Sequence, residues 1–176
     1  TWNLQGVRRV PYHLNELLSR PKGEIWITEG EKDADRLRSE FGVLATCNAG
    51  GAGKWTDELS TYIPNRKVVV VQDNDEPGIK HAQQVADSCL AVSCEIRILE
   101  LPGVPIKGDI SDWLDLGGNI NQLKSLRDSA NIYEHMNIPE PNSSYIHMFA
   151  LSSLSLPEFP VDVFPDACHC FGLHAV

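Results

Sequence analysis

The sequence has no long hydrophobic run, since none exceeds the four residues 68–71. A membrane-spanning helix needs roughly 18 apolar residues, so no such helix and no membrane partner are expected. A charged and then apolar leader is also absent, and no secretory signal is visible. The chain begins at Thr1 without a methionine, and we expect it to be a fragment of a longer protein.

Basic residues are in short supply, because 15 lysines and arginines stand against 24 aspartates and glutamates, a net charge of -9. A protein that holds nucleic acid on a broad basic surface needs the opposite balance. The excess of carboxylates fits an acidic, metal-binding site better. Any contact with nucleic acid is then expected from local patches or from neighbouring domains.

Cysteine is scarce as well: five are present, at the scattered positions Cys47, Cys89, Cys94, Cys168 and Cys170. A chain of 176 residues can bury a core without disulfides. The odd, scattered set therefore predicts a reducing, cytoplasmic location. The cluster Cys168-His169-Cys170 has zinc-ligand residue types, but no matching second half occurs, and we predict no zinc site there.

Strand and helix signals alternate through residues 23–132, which we expect to form one catalytic domain. The predicted strands are 24–28, 43–46, 67–72 and 95–99, and the predicted helices are 31–41, 56–62, 77–90, 112–116 and 120–130. Gly42 is expected to end the first helix, and Ser111 to cap the fourth. The alternation predicts an α/β fold with a mostly parallel sheet of about four strands flanked by helices. Residues 1–22 are expected to be a lead-in, and 133–176 a linker followed by the truncated start of a further element.

Acidic residues follow three of the four predicted strands: Glu29 and Asp33, then Asp73 and Asp75, then Asp109. Because the carboxyl ends of parallel strands share one edge of a sheet, we expect these side chains to form one acidic pocket. Neighbouring carboxylates repel each other unless a cation lies between them, and Mg²⁺ prefers oxygen ligands. Local structure offers alternatives, because aspartates also form turns and helix caps and acidic residues favour the first turn of a helix.

Three motifs carry a resemblance to a known family. They are residues 27–34 (ITEGEKDA), 70–78 (VVQDNDEPG) and 107–114 (KGDISDWL). In order, spacing and placement they resemble the motifs of Toprim domains, most closely those of bacterial and phage-type DNA primases and primase-helicases. The likeness covers about residues 23–116. It implies a Toprim-like fold and Mg²⁺-dependent nucleotidyl transfer, with Mn²⁺ able to substitute.

The resemblance also implies roles for the acidic residues. Glu29 is expected to be the general acid/base or to order a second metal, and Asp73 and Asp75 the main metal ligands. Asp33 and Asp109 are expected to widen the site, with Asp112 as the alternative to Asp109. The substrates would be a single-stranded DNA template and nucleoside triphosphates, and the partner a fused or separate helicase domain. Phosphodiester cleavage, as in the nuclease and topoisomerase branches, and a non-catalytic binding module remain alternatives.

Two lysines are candidates for phosphate binding, Lys54 beside a glycine-rich turn and Lys107 in the third motif. The turn is not a P-loop, because Asn48 stands where the first glycine is needed and Trp55 replaces the Ser or Thr that holds Mg²⁺. A haloacid dehalogenase phosphatase is also disfavoured, since Glu76 and a proline follow the aspartates. The remaining expectations concern packing. We expect His81 to lie at the surface, and Cys89, Trp26 and Trp113 to pack in the core.

Overall fold

Four parallel strands form the centre of the fold. The computed structural model describes residues 6–93 and 95–134. The strands are β1 (Glu24–Ile27), β2 (Ala45–Thr46), β3 (Lys67–Val71) and β4 (Glu95–Leu99), and they lie in the order β2–β1–β3–β4. The helices are α1 (Leu14–Ser19), α2 (Glu31–Phe41), α3 (Asp57–Ser60), α4 (Glu76–Leu90), α5 (Ile110–Asp115) and α6 (Ile120–Ser129). The predicted α/β fold, with a parallel sheet of four strands flanked by helices, is therefore confirmed.

Strand β3 is central because its valines are buried on both faces of the sheet. Val68 and Val70 pack into one hydrophobic cluster, which Cys89 of α4 also joins. Val69 and Val71 point to the opposite cluster, as the alternation of side chains along a strand requires. Trp26 and Trp113 belong to that second cluster, so the expectation of core packing for both tryptophans is confirmed.

The strand ends meet at one edge, which positions everything that follows them. Ile27, the last residue of β1, pairs with Thr46 of β2 and with Val70 of β3. Val71 at the end of β3 pairs with Leu99 at the end of β4. Three loops with acidic residues therefore leave the sheet from the same side, as expected for parallel strands joined by helices.

Helix boundaries agree with the sequence prediction to within one residue for α2, α4 and α6, but α3 ends at Ser60 and α5 begins at Ile110, because Ser111 does not cap α5. The cap is Asp109, whose side chain accepts a hydrogen bond from Asp112 N, while the side chain of Asp112 accepts one from Asp109 N. This reciprocal capping box satisfies two backbone donors at once. Ser111 lies inside the helix and donates instead to Asp33. Thr56 occupies the cap position of α3, but its side chain makes no capping bond.

The segment before β1 contributes to the core, although sequence reasoning assigned no helix there. Leu17 of α1 is 2% exposed. Tyr12 N donates to Cys47 O at 2.9 Å, and Thr46 Oγ1 donates to Tyr12 O at 2.7 Å. His13, at the start of α1, has φ 57° and makes no side-chain cap. The helix therefore lacks the capping residue that usually marks a helix start, and it is stabilised by packing. For this reason the sequence alone did not predict it.

The chain divides into two compact units, residues 1–136 and 137–176, and all the described residues belong to the first. The expected linker and the cluster Cys168-His169-Cys170 lie outside the described residues. Among the helices that the structure describes, none is long and apolar enough to cross a membrane.

Candidate active site

Asp73 lies two residues after the end of β3 and is surrounded by negative charge. The pKa of its carboxyl is raised from 3.8 to about 7, first by burial and then by four neighbouring carboxylates: Glu29, Asp33, Asp109 and Asp75. The structure thus brings the other four predicted acidic residues within electrostatic reach of Asp73. A carboxylate in such surroundings favours either a proton or a bound cation.

Glu29 lies between β1 and the glycine-rich turn after β2. The pKa of its carboxyl is raised by burial, lowered by a hydrogen bond from the backbone of Ala52, and raised again by the charges of Asp75 and Asp33. A Cβ on Gly51 would lie 3.8 Å from Glu29 Oε1, and Gly51 has φ +73°, a conformation that favours glycine. The turn therefore closes against Glu29, and its backbone holds the carboxylate in place.

Asp75 caps helix α4, as its position before Pro77 allowed. Its Oδ1 accepts a hydrogen bond from Gly78 N at 2.8 Å. Only this one carboxylate oxygen is used, since within the described part of the chain no further hydrogen bond or ion pair involves the side chain of Asp75. Capping and metal binding are therefore compatible, because the second oxygen remains open to a ligand.

Gly78 lies directly against Asp73 and leaves room for it, a role that the sequence analysis did not predict. A Cβ at this position would lie 2.7 Å from Asp73 Cβ and 2.9 Å from Asp73 O. Helix α4 can start this close to the end of β3 only without a side chain there. The signal was present in the Asp-x-Asp-x-x-Gly spacing of the second motif, residues 73–78.

Asp33 and Asp109 form a second part of the acidic region, and each accepts a hydrogen bond from a side chain. Ser111 Oγ donates to Asp33 Oδ1 at 2.5 Å, and Lys32 Nζ donates to Asp109 Oδ2 at 2.8 Å. Burial raises the pKa of Asp33, although Ser111 opposes the change. Burial also acts to raise the pKa of Asp109, but the hydrogen bond from Lys32 and the backbone donors of α5 outweigh it, and that pKa is lowered.

The choice between Asp109 and Asp112 follows from the capping box. Asp112 Oδ2 accepts from Asp109 N at 3.0 Å, so that carboxylate is turned back to the start of its own helix. The negative charge of Asp109 instead contributes to the raised pKa of Asp73. This geometry favours Asp109 as the residue that faces the other carboxylates.

Comparison with known proteins gives a consistent result at the level of the fold. No protein-family model matches the sequence, and no curated protein matches it with significance. The structure superposes on the zinc-binding and RNA polymerase domains of the Aquifex aeolicus primase with a TM-score of 0.53, at 22% sequence identity, over 63% of this chain and 27% of that one. It superposes on the DnaG catalytic core with a TM-score of 0.56, at 18% identity, over 69% of this chain and 40% of that one. The chain has a primase-type fold.

A looser match relates the primase-type domain to a phage complex. The complex is bacteriophage T7 lagging-strand DNA polymerase interacting with primase domains of two gp4 subunits, bound to an RNA/DNA hybrid and dTTP; the TM-score is 0.47, at 18% identity, over 64% of this chain and 57% of that one. This superposition is too loose to show a shared fold. The chain spans 27% and 40% of the first two primases, so the likeness covers a part of a primase.

The two lysines of the primase-type domain are exposed on the loops around the acidic residues. Within the described residues, neither Lys54 nor Lys107 forms a side-chain ion pair or hydrogen bond. Lys107 has φ 67°, and its N–H donates to Asn74 O at 2.8 Å, while Asn74 N donates to Gly108 O at 2.9 Å. The backbone of the third motif is thus fastened to the second motif through Asn74, another residue that sequence reasoning missed.

His81 of the primase-type domain is buried, so its expected surface position is wrong. It is 3% exposed, and its Nδ1 accepts a hydrogen bond from Gly53 N at 3.1 Å. Burial lowers the pKa of the imidazole, which favours the neutral ring that accepts this bond. Its spacing from the buried Val85 is one helical turn, a signal that would have placed it on the inner face of α4.

The carboxylates of the described residues do not form a complete set of metal ligands. Among the described residues, no group of three or more histidine, cysteine, aspartate or glutamate side chains is arranged to hold a metal ion. Magnesium in phosphoryl-transfer sites is commonly held by one or two carboxylates together with waters and substrate phosphates, so a full cage is not required. The oxygen-only set of Glu29, Asp73 and Asp75 fits the chemistry of that ion.

Proposed function

We propose that this domain is the catalytic core of a primase, which joins nucleoside triphosphates into an RNA primer on single-stranded DNA with Mg²⁺ or Mn²⁺ as cofactor. The observation that carries the proposal is the convergence of acidic side chains on Asp73, two residues after the central strand, where burial and their charges raise its pKa to about 7. Four other acidic residues contribute to that shift, and the fold is primase-type. A hard divalent cation relieves such repulsion and is the cofactor that nucleotidyl transfer requires.

The residues divide the work of the reaction. Asp73 and Asp75 would hold a divalent cation, which would neutralise charge at the triphosphate. Glu29 takes the proton from the attacking hydroxyl, whose oxygen bonds to the α-phosphorus as pyrophosphate leaves. The raised pKa of Glu29 makes it a stronger base than an ordinary carboxylate. Asp33 and Asp109 extend the acidic region, and act through water.

The exposed lysines are candidates to bind the phosphates of the nucleotide substrate. Lys54 and Lys107 form no side-chain hydrogen bond or ion pair within the described part of the chain, and both lie on loops at the carboxyl edge of the sheet. We assign them to the phosphates of the nucleotide. Because the whole chain has a net charge of -9, we expect other parts of the protein, including a fused or separate helicase domain, to hold the DNA template.

Primer synthesis by the full-length protein that contains this chain tests the proposal. Labelled nucleoside triphosphates and single-stranded DNA are incubated with Mg²⁺, using wild type, Asp73→Asn and the matched control Asp128→Asn. Asp128 pairs with Arg127, which also binds Glu24 at the start of β1. The control thus removes a carboxylate from the opposite edge of the sheet.

The expected result is primer synthesis by wild type and by the control, with a loss of at least about a hundredfold in Asp73→Asn, as for removal of a group that stabilises transition-state charge. Undiminished synthesis by Asp73→Asn would refute the proposal. Shortening of a labelled strand would point to phosphodiester cleavage. Metal-independent binding without either reaction would point to a non-catalytic module.

A further inference from the structure

His81 lies on the face of helix α4 that is turned to the interior of the domain. Gly78, His81 and Val85 are separated by three and four residues, a spacing that places them on one face of the helix, and all three are buried. Gly78 lies against Asp73. The helix face that receives the aspartate loop therefore carries the histidine about one turn further along.

The ring of His81 holds the end of the glycine-rich turn that follows β2. Its Nδ1 accepts a hydrogen bond from Gly53 N at 3.1 Å, so the proton of the neutral ring is on Nε2. That second nitrogen is buried and has no hydrogen-bond partner in the described part of the chain. A buried donor without a partner destabilises a fold. Packing alone therefore does not account for a histidine at this position, which an apolar side chain would fill at lower cost.

Asn48 holds the beginning of the same turn in a similar way. The residue is 1% exposed, and its Nδ2 donates to Gly51 O at 2.8 Å. Its Oδ1 is buried and, among the residues that the structure describes, finds no donor. The turn is thus fixed at both ends by buried polar side chains, and each of the two leaves one polar atom unsatisfied.

The residue between these two fixed points contacts Glu29. The backbone of Ala52 donates a hydrogen bond to the Glu29 carboxylate, and the next residue, Gly53, is the one bonded to His81. Because the aspartate loop rests on the same face of α4, this one helix sets the position of Glu29 relative to the aspartates after β3.

We infer that His81 is a positioning residue for Glu29, which it holds in place through Gly53 and Ala52 of the glycine-rich turn. The inference rests on the proposed function, since it assigns to Glu29 the role of base. His81 does not touch the reacting atoms. Loss of the acceptor on its ring should free the turn, displace the carboxylate and slow the chemical step.

Substitutions that separate the acceptor from the packing test the inference. His81→Leu and His81→Phe remove the acceptor and keep an apolar side chain of substantial size. His81→Asn is smaller, but its Oδ1 is bonded to Cγ as Nδ1 is in histidine, and it can accept from Gly53 N. Val85→Ala is the matched control, because it removes buried atoms from the same face of α4 and leaves the turn untouched.

Three measurements are made on each variant. Urea denaturation of the chain gives its stability, and NMR gives the rate of hydrogen exchange at Gly53 N–H. Primer synthesis by the full-length protein at saturating nucleotide gives kcat. The exchange measurement needs neither metal nor substrate, so it is independent of the activity.

We expect Gly53 N–H to exchange at least about tenfold faster in His81→Leu and His81→Phe than in wild type, His81→Asn or Val85→Ala. The kcat should fall at least about tenfold in the same two variants and stay within about threefold of wild type in the others. His81→Leu should nevertheless be at least as stable as wild type, and His81→Asn less stable, so that activity and stability change in opposite directions.

A kcat that follows stability, lower in His81→Asn than in His81→Leu, would show a merely structural role and overturn the inference. Unchanged exchange of Gly53 N–H in His81→Leu and His81→Phe would also overturn it, while primer synthesis by wild type would leave the proposed function intact. A wild-type protein that makes no primer would overturn the proposed function and this inference with it.

Discussion

Replacement of Asp73 with asparagine should stabilise the metal-free domain at neutral and alkaline pH. In the folded chain the pKa of Asp73 is raised from 3.8 to about 7 by burial and neighbouring negative charge. In the unfolded chain these causes disappear and the pKa returns to its ordinary value. Between the two values the folded chain holds more protons, so the free energy of unfolding falls as pH rises and the loss is complete above pH 7.

The magnitude follows from the size of the shift. About three pKa units correspond to about 4 kcal/mol, at about 1.4 kcal/mol per unit, as an upper limit because the side chain can turn towards water. Asparagine has nearly the same shape and does not ionise. From pH 5 to pH 8 the free energy of unfolding of Asp73→Asn should therefore increase by about 2.5 kcal/mol relative to wild type.

Urea denaturation in EDTA, followed by tryptophan fluorescence at both pH values, measures this difference. Asp128→Asn is the control, because that exposed aspartate lies away from the acidic region and should show little change. A difference between Asp73→Asn and wild type that is the same at pH 5 and pH 8 would refute the reasoning. Added Mn²⁺ should reverse the order at pH 8, because only wild type keeps the full set of ligands.

Two further variants probe the support of the carboxylates. Gly78→Ala should destabilise the domain by about 1–3 kcal/mol through overpacking and weaken Mn²⁺ binding, because the new Cβ would lie 2.7 Å from Asp73 Cβ. Gly30→Ala is its control, since a Cβ there meets Asp33 Oδ2 at an ordinary 3.6 Å; equal effects in both variants would contradict the steric argument. Ser111→Ala should cost about 1–3 kcal/mol in urea denaturation, because it leaves the buried carboxylate of Asp33 without its hydroxyl donor. An unchanged midpoint would contradict this role.

Much of the architecture was predictable because local signals and the global fold agree. Helix α2 spans residues 31–41 as expected, and it ends at Gly42, whose φ of 66° suits glycine. The valine-rich β3 is central because it is apolar on both faces. The same rule that gathers parallel strand ends at one edge placed the acidic residues near one another.

The sequence predictions were wrong or incomplete where contacts between distant parts of the chain determine the structure. Ser111 looks like a cap, but its partner Asp33 lies 78 positions away in the sequence. The burial of His81 was readable from its spacing to Val85, but the hydrogen bond that its ring accepts from Gly53, 28 positions earlier, was not. Helix α1 forms because Leu17 finds a place in the core. Pairings of this kind are not visible in a local pattern of residue types.

The separation of the paired residues along the chain has a consequence for folding. Lys32 and Asp109 are 77 positions apart, and Asp33 and Ser111 are 78 apart. Contacts between such distant segments form only after the intervening loops have closed. During synthesis the acidic residues are therefore dispersed and well hydrated, and their repulsion arises only when the sheet is complete. The acidic edge of the sheet is thus expected to be the last part of the domain to assemble and the first to be lost when the strands separate.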